Sequence, residues 1–464
     1  LLDSLGGREL IYRDENMSCF APVPIQARQR PPALPSLVDL KANRKTGVFY
    51  VSDVYQSTQP IPKDRVKALR VVRMYAQTIE TPPSRGKAII DMPKRILGTA
   101  PVDAKGRVAF RAPSCQPLLF QLLDENGMSV MSMRSAVYLQ PGEVSGCVGC
   151  HEPRDNTTRR VVLSKNIKVH DLEPPAGPRY KGGLSFARTV QPVLDRYCIK
   201  CHGLEKIEGK INLLGRMKKI VFKYPIWPGP NRMIVSDAYE SLMNHPTLVK
   251  IAQCRFETDY TTPKDYCAHA GRLAGMLLAG HPDKKGKAKV KLDGESFRRI
   301  VDWLDVNAIC YGDYSWNKIE WRKASPVGEK ALREHIAKTF GDKLAAQPFE
   351  ALVNVAQPDE SRILKAPLAK DAGGWGQIAP DKRGWKSTKD AGYREMRKLA
   401  EAAIAPLEAR DIAGTCGKDK CVCGTCWVRH ALEKRLEQKT ASNIKPRARK
   451  RERAGNWKLQ RPQP

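Results

Sequence analysis

Between residues 46 and 140 the apolar positions recur with the short period of extended chain. Gly47 to Val54 is rich in β-branched and aromatic side chains, Val66 to Tyr75 alternates loosely, and Gly106-Arg107-Val108-Ala109-Phe110-Arg111 alternates clearly. Leu118-Leu119-Phe120-Gln121-Leu122-Leu123 is a nearly unbroken apolar run that ends at Asp124-Glu125-Asn126-Gly127, so it predicts a buried strand entering a hairpin. Short strands separated by proline and glycine predict a β-sandwich. Beyond residue 181 the period lengthens. Phe186, Val190, Val193, Leu194 and Tyr197 share one helical face, with Ser185 placed to cap it, and Phe297, Ile300, Val301 and Leu304 share a face of a second helix over Asp293 to Asn307.

These patterns divide the chain. Residues 1–13 read as strand, glycine turn and strand, the tail of a preceding repeat, and the prolines at 22, 24, 31, 32 and 35 then favour an extended linker. The resulting units are residues 1–35, a β-rich domain over 36–180, a helical domain over 181–312, a mixed and mostly helical region over 313–412, and a basic end over 413–464. Within the fourth unit, 358–376 is a basic and apolar run carrying Gly373-Gly374-Trp375, and 391–410 predicts a helix interrupted at Pro406. The last 20 residues are basic and proline-bearing, the composition of a disordered tail. The expected class is multidomain α+β.

Composition changes the picture in one respect. The 80 basic side chains against 49 acidic ones give a net charge of +31, which disfavours another basic surface as partner and reads first as a solvated basic surface, with an acidic redox partner or an anionic cell envelope as the functional alternatives. No zinc-finger, RRM, KH or P-loop signature supports nucleic acid. No stretch of 18 apolar residues is present to span a membrane. The chain begins Leu1-Leu2-Asp3 without an initiator methionine, which places the expected N-terminus upstream and leaves an export signal undecided.

The candidate chemistry lies in two short motifs. Cys147-Val148-Gly149-Cys150-His151 and Cys198-Ile199-Lys200-Cys201-His202 both spell C-x-x-C-H, the attachment signature of c-type haem. Two thiols at this spacing can add to the two vinyl groups of one porphyrin, and the following histidine can reach the iron as axial ligand. In a chain with 13 cysteines and 8 histidines chance gives about 0.006 such matches, so two are not accidental. A zinc knuckle would gather these side chains into tetrahedral sets, and a thioredoxin-type pair would sit in a βαβ pattern; neither context is present. The helix running into the second motif is how a small cytochrome c domain begins. The expected cofactors are two c-type haems, held by Cys147, Cys150, Cys198 and Cys201 with His151 and His202 as proximal ligands. Covalent attachment of this kind in bacteria implies a periplasmic or otherwise extracytoplasmic location.

Other residues are candidates of a second rank. The loop from Met276 to Leu292 precedes the last helix of the haem domain, and His281 is the first candidate for distal ligand, with Met276 and His245 behind it. Met128, Met131 and Met133 could offer a thioether but fit core filling better. Cys416, Cys421, Cys423 and Cys426, spaced C-x4-C-x-C-x2-C, could enclose one zinc, close two disulfides or hold an iron-sulfur cluster. Cys254 and Cys267 bracket a polar loop and could pair with each other, whereas Cys19, Cys115 and Cys310 have no evident partner.

The run from Pro113 to Met128, then Met133-Arg134-Ser135 and Pro141-Gly142-Glu143 leading into Cys147-Val148-Gly149-Cys150-His151-Glu152-Pro153-Arg154, resembles the middle domain of the hydrazine synthase alpha subunit family. The resemblance continues more loosely through Leu368-Ala369-Lys370 and Gly373-Gly374-Trp375. It implies a β-propeller before the middle domain, of which residues 1–13 would be the remnant, a haem on the middle domain and a second on a following cytochrome c domain. In that family the middle-domain haem takes a tyrosine ligand about one turn after the motif histidine, which goes to zinc. Here Asp155 stands at that place and no tyrosine lies between His151 and Tyr180, so hydrazine formation is not implied. The expected function is electron transfer by a dihaem c-type protein. Alternatives are a haem-dependent oxidoreductase acting on a small nitrogen or oxygen species, and a propeller-based interaction module without redox chemistry.

Overall fold

The computed structural model describes residues 45–75, 86–87, 91–150, 166–222, 231–252, 262–313, 321–378 and 383–406, with a few isolated positions before residue 30. The strands expected at residues 1–13, His151, Cys19, Cys254, the cluster from Cys416 to Cys426 and the basic tail lie outside the described residues. Eight strands form the first unit: β1 Thr46–Val51, β2 Ala68–Met74, β3 Lys94–Pro101, β4 Val108–Pro113, β5 Leu118–Leu123, β6 Ser129–Ser132, β7 Val144–Cys147 and β8 Val169–His170. They make two four-stranded sheets, in the orders β7-β1-β4-β8 and β3-β2-β5-β6. Between them Phe49 and Phe110 stack, and Phe120 meets both edge-on, 5.1 Å from Phe49 and 5.3 Å from Phe110.

The second sheet is covered on both faces, which explains its continuous apolar runs. In β2, Leu69 and Val71 enter the core between the sheets, while Val72 and Met74 enter a second core on the other face. In β5, Leu118, Phe120 and Leu122 face the sandwich and Leu119 faces away from it, so every position is buried.

That second core is closed by helices: α1 Phe186–Thr189, α2 Gln191–Tyr197, the hairpin β9 Met217–Phe222 and β10 Asn231–Ser236, α3 Asp237–Asn244, α4 Arg272–Leu278 and α5 Gly294–Asp305. Trp303 is fully buried at its centre, 5.1 Å from Phe186 and 6.3 Å from Tyr239. The single helix expected to run into Cys198 is broken at Val190, which ends α1 and begins α2; Pro192, lacking an N–H, fits the first turn of the new helix. Ser185 caps α1 by accepting from the Arg188 N–H, and Asp293 caps α5 by accepting from the Ser296 N–H at 2.7 Å. The β9–β10 hairpin departs from the all-helical expectation for this stretch. A third core joins α6 Pro326–Phe340, α7 Asp342–Ala345, α8 Phe349–Leu352, α9 Arg362–Lys365 and α10 Ala391–Ala402. Among the described residues no helix is long and apolar enough to cross a membrane.

Sandwich and helices are joined by a buried ion cluster. Arg70 of β2, only 1% exposed, reaches Asp302 and Asp305 of α5 at 2.6 Å each and also donates to Gln121 Oε1 and the Gly127 carbonyl. Asp305 accepts further bonds from the backbone N–H groups of Ser129 and Ala268, both at 3.0 Å. Two carboxylates share one guanidinium, and burial raises both above the usual carboxylate range, with Arg70 opposing the shift in each. Burial pushes the Asp302 carboxyl up to about 6; Arg70 opposes this and the like charge of Asp305 adds to it.

Two outcomes follow from the cluster. Arg70→Met strands both carboxylates in the core and should lower the unfolding free energy by about 3–5 kcal/mol, read by chemical denaturation. The folded-state carboxyl of Asp302 lies above its ordinary value of 3.8. Its favourable contribution is therefore complete below about pH 4 and lost as pH rises through about 6. Asp302→Asn should show a flatter stability profile than the parent across that window, and parallel profiles would contradict the assignment.

Candidate functional site

The first motif sits on the edge of the sandwich. β7 runs parallel to β1, bringing Cys147 opposite Val51, and the extended pairing continues as Ser52 and Asp53 donate to the carbonyls of Cys147 and Val148 at 3.0 and 3.1 Å. Cys147 and Cys150 are both half-buried against the core between the sheets. Gly149 fills a position where backbone passes too close for a side chain: a Cβ there would stand 2.0 Å from the Gln56 carbonyl oxygen.

The second motif follows α2. The Cys198 N–H donates to the Leu194 carbonyl, and the Cys201 and His202 N–H groups fold back onto the Cys198 carbonyl at 3.2 and 3.0 Å. One tight turn therefore holds both thiols and the histidine. Tyr197 donates its hydroxyl to Asp293 Oδ2 at 2.8 Å, fastening the end of α2 to the cap of α5. His202 places Nδ1 3.1 Å from the Glu208 carbonyl, so that nitrogen carries the proton and Nε2 is left with a lone pair.

His281 is brought to this imidazole from the far end of α4. The ring centres of His202 and His281 are 6.1 Å apart with planes inclined at 49°. Nδ1 of His281 is buried without a hydrogen-bond partner. The backbone that delivers it is held in the left-handed region twice in succession, at Gly280 (φ 79°) and His281 (φ 47°). For a residue with a side chain that conformation is strained and often marks a functional position. Gly280 is also pressed against Ala288, where a Cβ would stand 2.8 Å from the alanine methyl.

The donors fit an iron porphyrin better than the alternatives. With metal–imidazole bonds of about 2.0 Å and ring centres about 1.1 Å behind the ligating nitrogens, two imidazoles on opposite sides of one iron have centres about 6.2 Å apart. Ile207, whose backbone bridges to His202, and Leu278, three residues before His281, are 53% and 51% exposed, apolar surface that a flat apolar ring would cover. Burial pushes the Cys198 thiol up to about 12, with Asp195 and Cys201 adding to it, the opposite of the lowered thiol of a redox C-x-x-C pair. Among the described residues no three His, Cys, Asp or Glu side chains converge as a metal cage.

The lesser candidates are placed elsewhere. Met128 belongs to the helical core, Met131 to the sandwich core, and Met133 packs half-buried between them, its sulfur accepting from the Phe120 N–H. His245 ends α3, where Nδ1 engages Thr247. Met276 packs against the helical core. Of Cys254 and Cys267 only Cys267 is among the described residues; its Sγ lies 3.5 Å from the Asp305 carbonyl, an interior contact that periodicity along the loop did not reveal. Two positioning features also escaped the sequence reading. One is the Glu208 carbonyl, since backbone acceptors leave no residue signature; the other is the left-handed turn, for which Gly280-His281-Pro282 was the available sign.

Residues 64–152 match the family model of the hydrazine synthase alpha subunit middle domain. That segment relates the chain to the hydrazine synthase alpha subunit. It holds β2 to β7 and ends one residue past the first motif, so the second motif lies wholly outside it. Among solved structures, a chain of Kuenenia stuttgartiensis hydrazine synthase is similar at 18% identity and a TM-score of 0.40, covering 58% of this chain and 43% of that one. The matched part is thus less than half of that chain. No curated protein matches.

Gly280→Ala should test the turn that carries His281. The added methyl meets Ala288 and the residue must hold a positive φ, so a loss of about 1–3 kcal/mol is expected. Gly286→Ala, also at positive φ but with nothing within 4 Å of its Cβ, should cost less by denaturation.

Proposed function

We propose that this chain is an extracytoplasmic dihaem c-type protein that passes single electrons. One porphyrin would be held through Cys198 and Cys201, with His202 and His281 as the residues to bind its iron, and another through Cys147 and Cys150 with His151. The observation that carries the reading is the separation of the His202 and His281 rings, which suits two imidazoles on one iron while both thiols of the same motif stand in the adjoining turn. When bound, the haem supplies a reversible one-electron couple. The chain does the rest. The Glu208 carbonyl fixes the His202 tautomer, the strained turn at Gly280-His281 presents the second imidazole, and the apolar core behind Cys198 limits water.

Two histidine ligands leave no open coordination position, so this site favours transfer over catalysis on a small molecule. Bis-histidine ligation also sets a lower potential than histidine–methionine ligation. The departure at Asp155 keeps hydrazine synthesis out of the proposal, although the relationship over residues 64–152 supports a haem on the first motif.

Protein exported from a host with the cytochrome c maturation machinery should contain two covalent haems per chain by pyridine haemochrome and intact mass. A chain without covalent haem would overturn the proposal. His281→Ala should convert one haem from low spin to a form that binds added imidazole, leaving the other unchanged. An unaltered low-spin spectrum in that variant would remove His281 as ligand.

A further inference from the structure

The loop that delivers His281 continues into a small hairpin. The Gly280 carbonyl accepts from the N–H groups of Lys289 and Val290, Pro282 bridges to Ala288, and the Asp283 N–H donates to the Lys287 carbonyl while its carboxylate accepts from the Lys287 N–H. The hairpin is therefore held by its own backbone bonds, and its side chains are free for another use. They are overwhelmingly basic: Lys284, Lys285, Lys287, Lys289 and Lys291 are all exposed, and Asp283, the one acid among them, is occupied by the Lys285 and Lys287 N–H groups. Across the imidazole pair, the loop following Cys201 adds exposed Lys206 and Lys210, and Lys200 stands exposed inside the motif. The two loops are neighbours. Glu208 pairs with Lys206 and lies within the field of Lys289.

We propose that this lysine hairpin and the facing motif loop form the docking surface for an acidic one-electron redox protein, placing its redox centre beside the haem held by His202 and His281. The proposal rests on the haem reading above and adds the place and the kind of partner. The excess positive charge lies on the hairpin and on Lys200, since Lys206 and Lys210 of the motif loop are balanced by Glu205 and Glu208, and both loops flank the imidazoles, where electron exchange requires close approach. Charge at the rim of such an interface acts mainly on the association rate, which suits a brief encounter that must form and dissolve at each turnover. No aromatic side chain is present in either loop to stack on nucleic acid bases.

The test uses the haem-loaded full chain, reduced and mixed at low ionic strength with excess oxidised plant plastocyanin, an acidic copper protein, in a stopped-flow instrument. The triple variant Lys284→Glu, Lys285→Glu, Lys287→Glu should lower the second-order rate about tenfold or more, whereas Lys330→Glu, Lys389→Glu, Lys398→Glu, with the same change in net charge at exposed sites of the C-terminal unit, should lower it less than about threefold. Oxidation by the tris(phenanthroline)cobalt(III) cation should not be slowed in the hairpin variant, showing that its haem still exchanges electrons. Equal slowing in both triples would assign the effect to net charge and overturn the docking surface, as would an unchanged rate in the hairpin variant. Loss of vesicle binding to phosphatidylglycerol in the hairpin triple, with its plastocyanin rate intact, would assign the lysines to a lipid surface and also overturn it. A parent protein without a low-spin bis-histidine spectrum would instead sink the haem reading itself.

Discussion

The buried contact of Arg70 with Asp302 and Asp305 is the constraint on which the arrangement of this protein turns. A guanidinium 1% exposed cannot be left unpaired, and two carboxylates beside it cannot be left without donors. Satisfying all three requires β2, the tip of the β5–β6 hairpin, the turn before α4 and α5 to meet in one geometry. Apolar packing would tolerate some sliding of sheet against helix. Directional bonds at 2.6 Å on a shared guanidinium do not. His269 repeats the device at the edge of the same junction, with Nε2 3.0 Å from Asp124.

This junction also sets where the second motif lies. Asp293 caps α5 and accepts from Tyr197, the residue before Cys198, so the helix that receives Arg70 at one end fastens the motif at the other. The matched family segment contributes Arg70 and the first motif, and the helical unit contributes its acidic partners and the second motif. A relationship that covers only the sandwich is therefore physically tied to a site outside it.

The site itself combines stiff and strained backbone. The turn of Cys198 to His202 is closed by short-range bonds, and His202 is aligned by a carbonyl. His281 arrives on a left-handed segment that an isolated chain would disfavour, and the hairpin that follows locks that segment through the Gly280 carbonyl. The strain is local, and the bonds that sustain it lie in the lysine-bearing loop, which couples the position of His281 to that basic loop.

Much of this was legible in the residues. The period-two runs located β1, β2, β4 and β5 because each strand buries at least one face, and the caps Ser185 and Asp293 were readable because their side chains answer a need at the very next turn. The break at Val190 and the β9–β10 hairpin were not, since apolar spacing alone does not distinguish one helix from two collinear ones, and Met217 to Phe222 carries two lysines that blur its alternation. The contact of Cys267 with the Asp305 carbonyl was not legible either, because a thiol's neighbours are decided by what packs around it. By itself the sequence determined the spacing of thiols and histidine in the two C-x-x-C-H motifs, which involves neighbours one to four residues apart. Only the tertiary structure decided that His281 meets His202, because that contact joins segments whose approach is governed by core packing and buried ion pairing rather than by any local pattern.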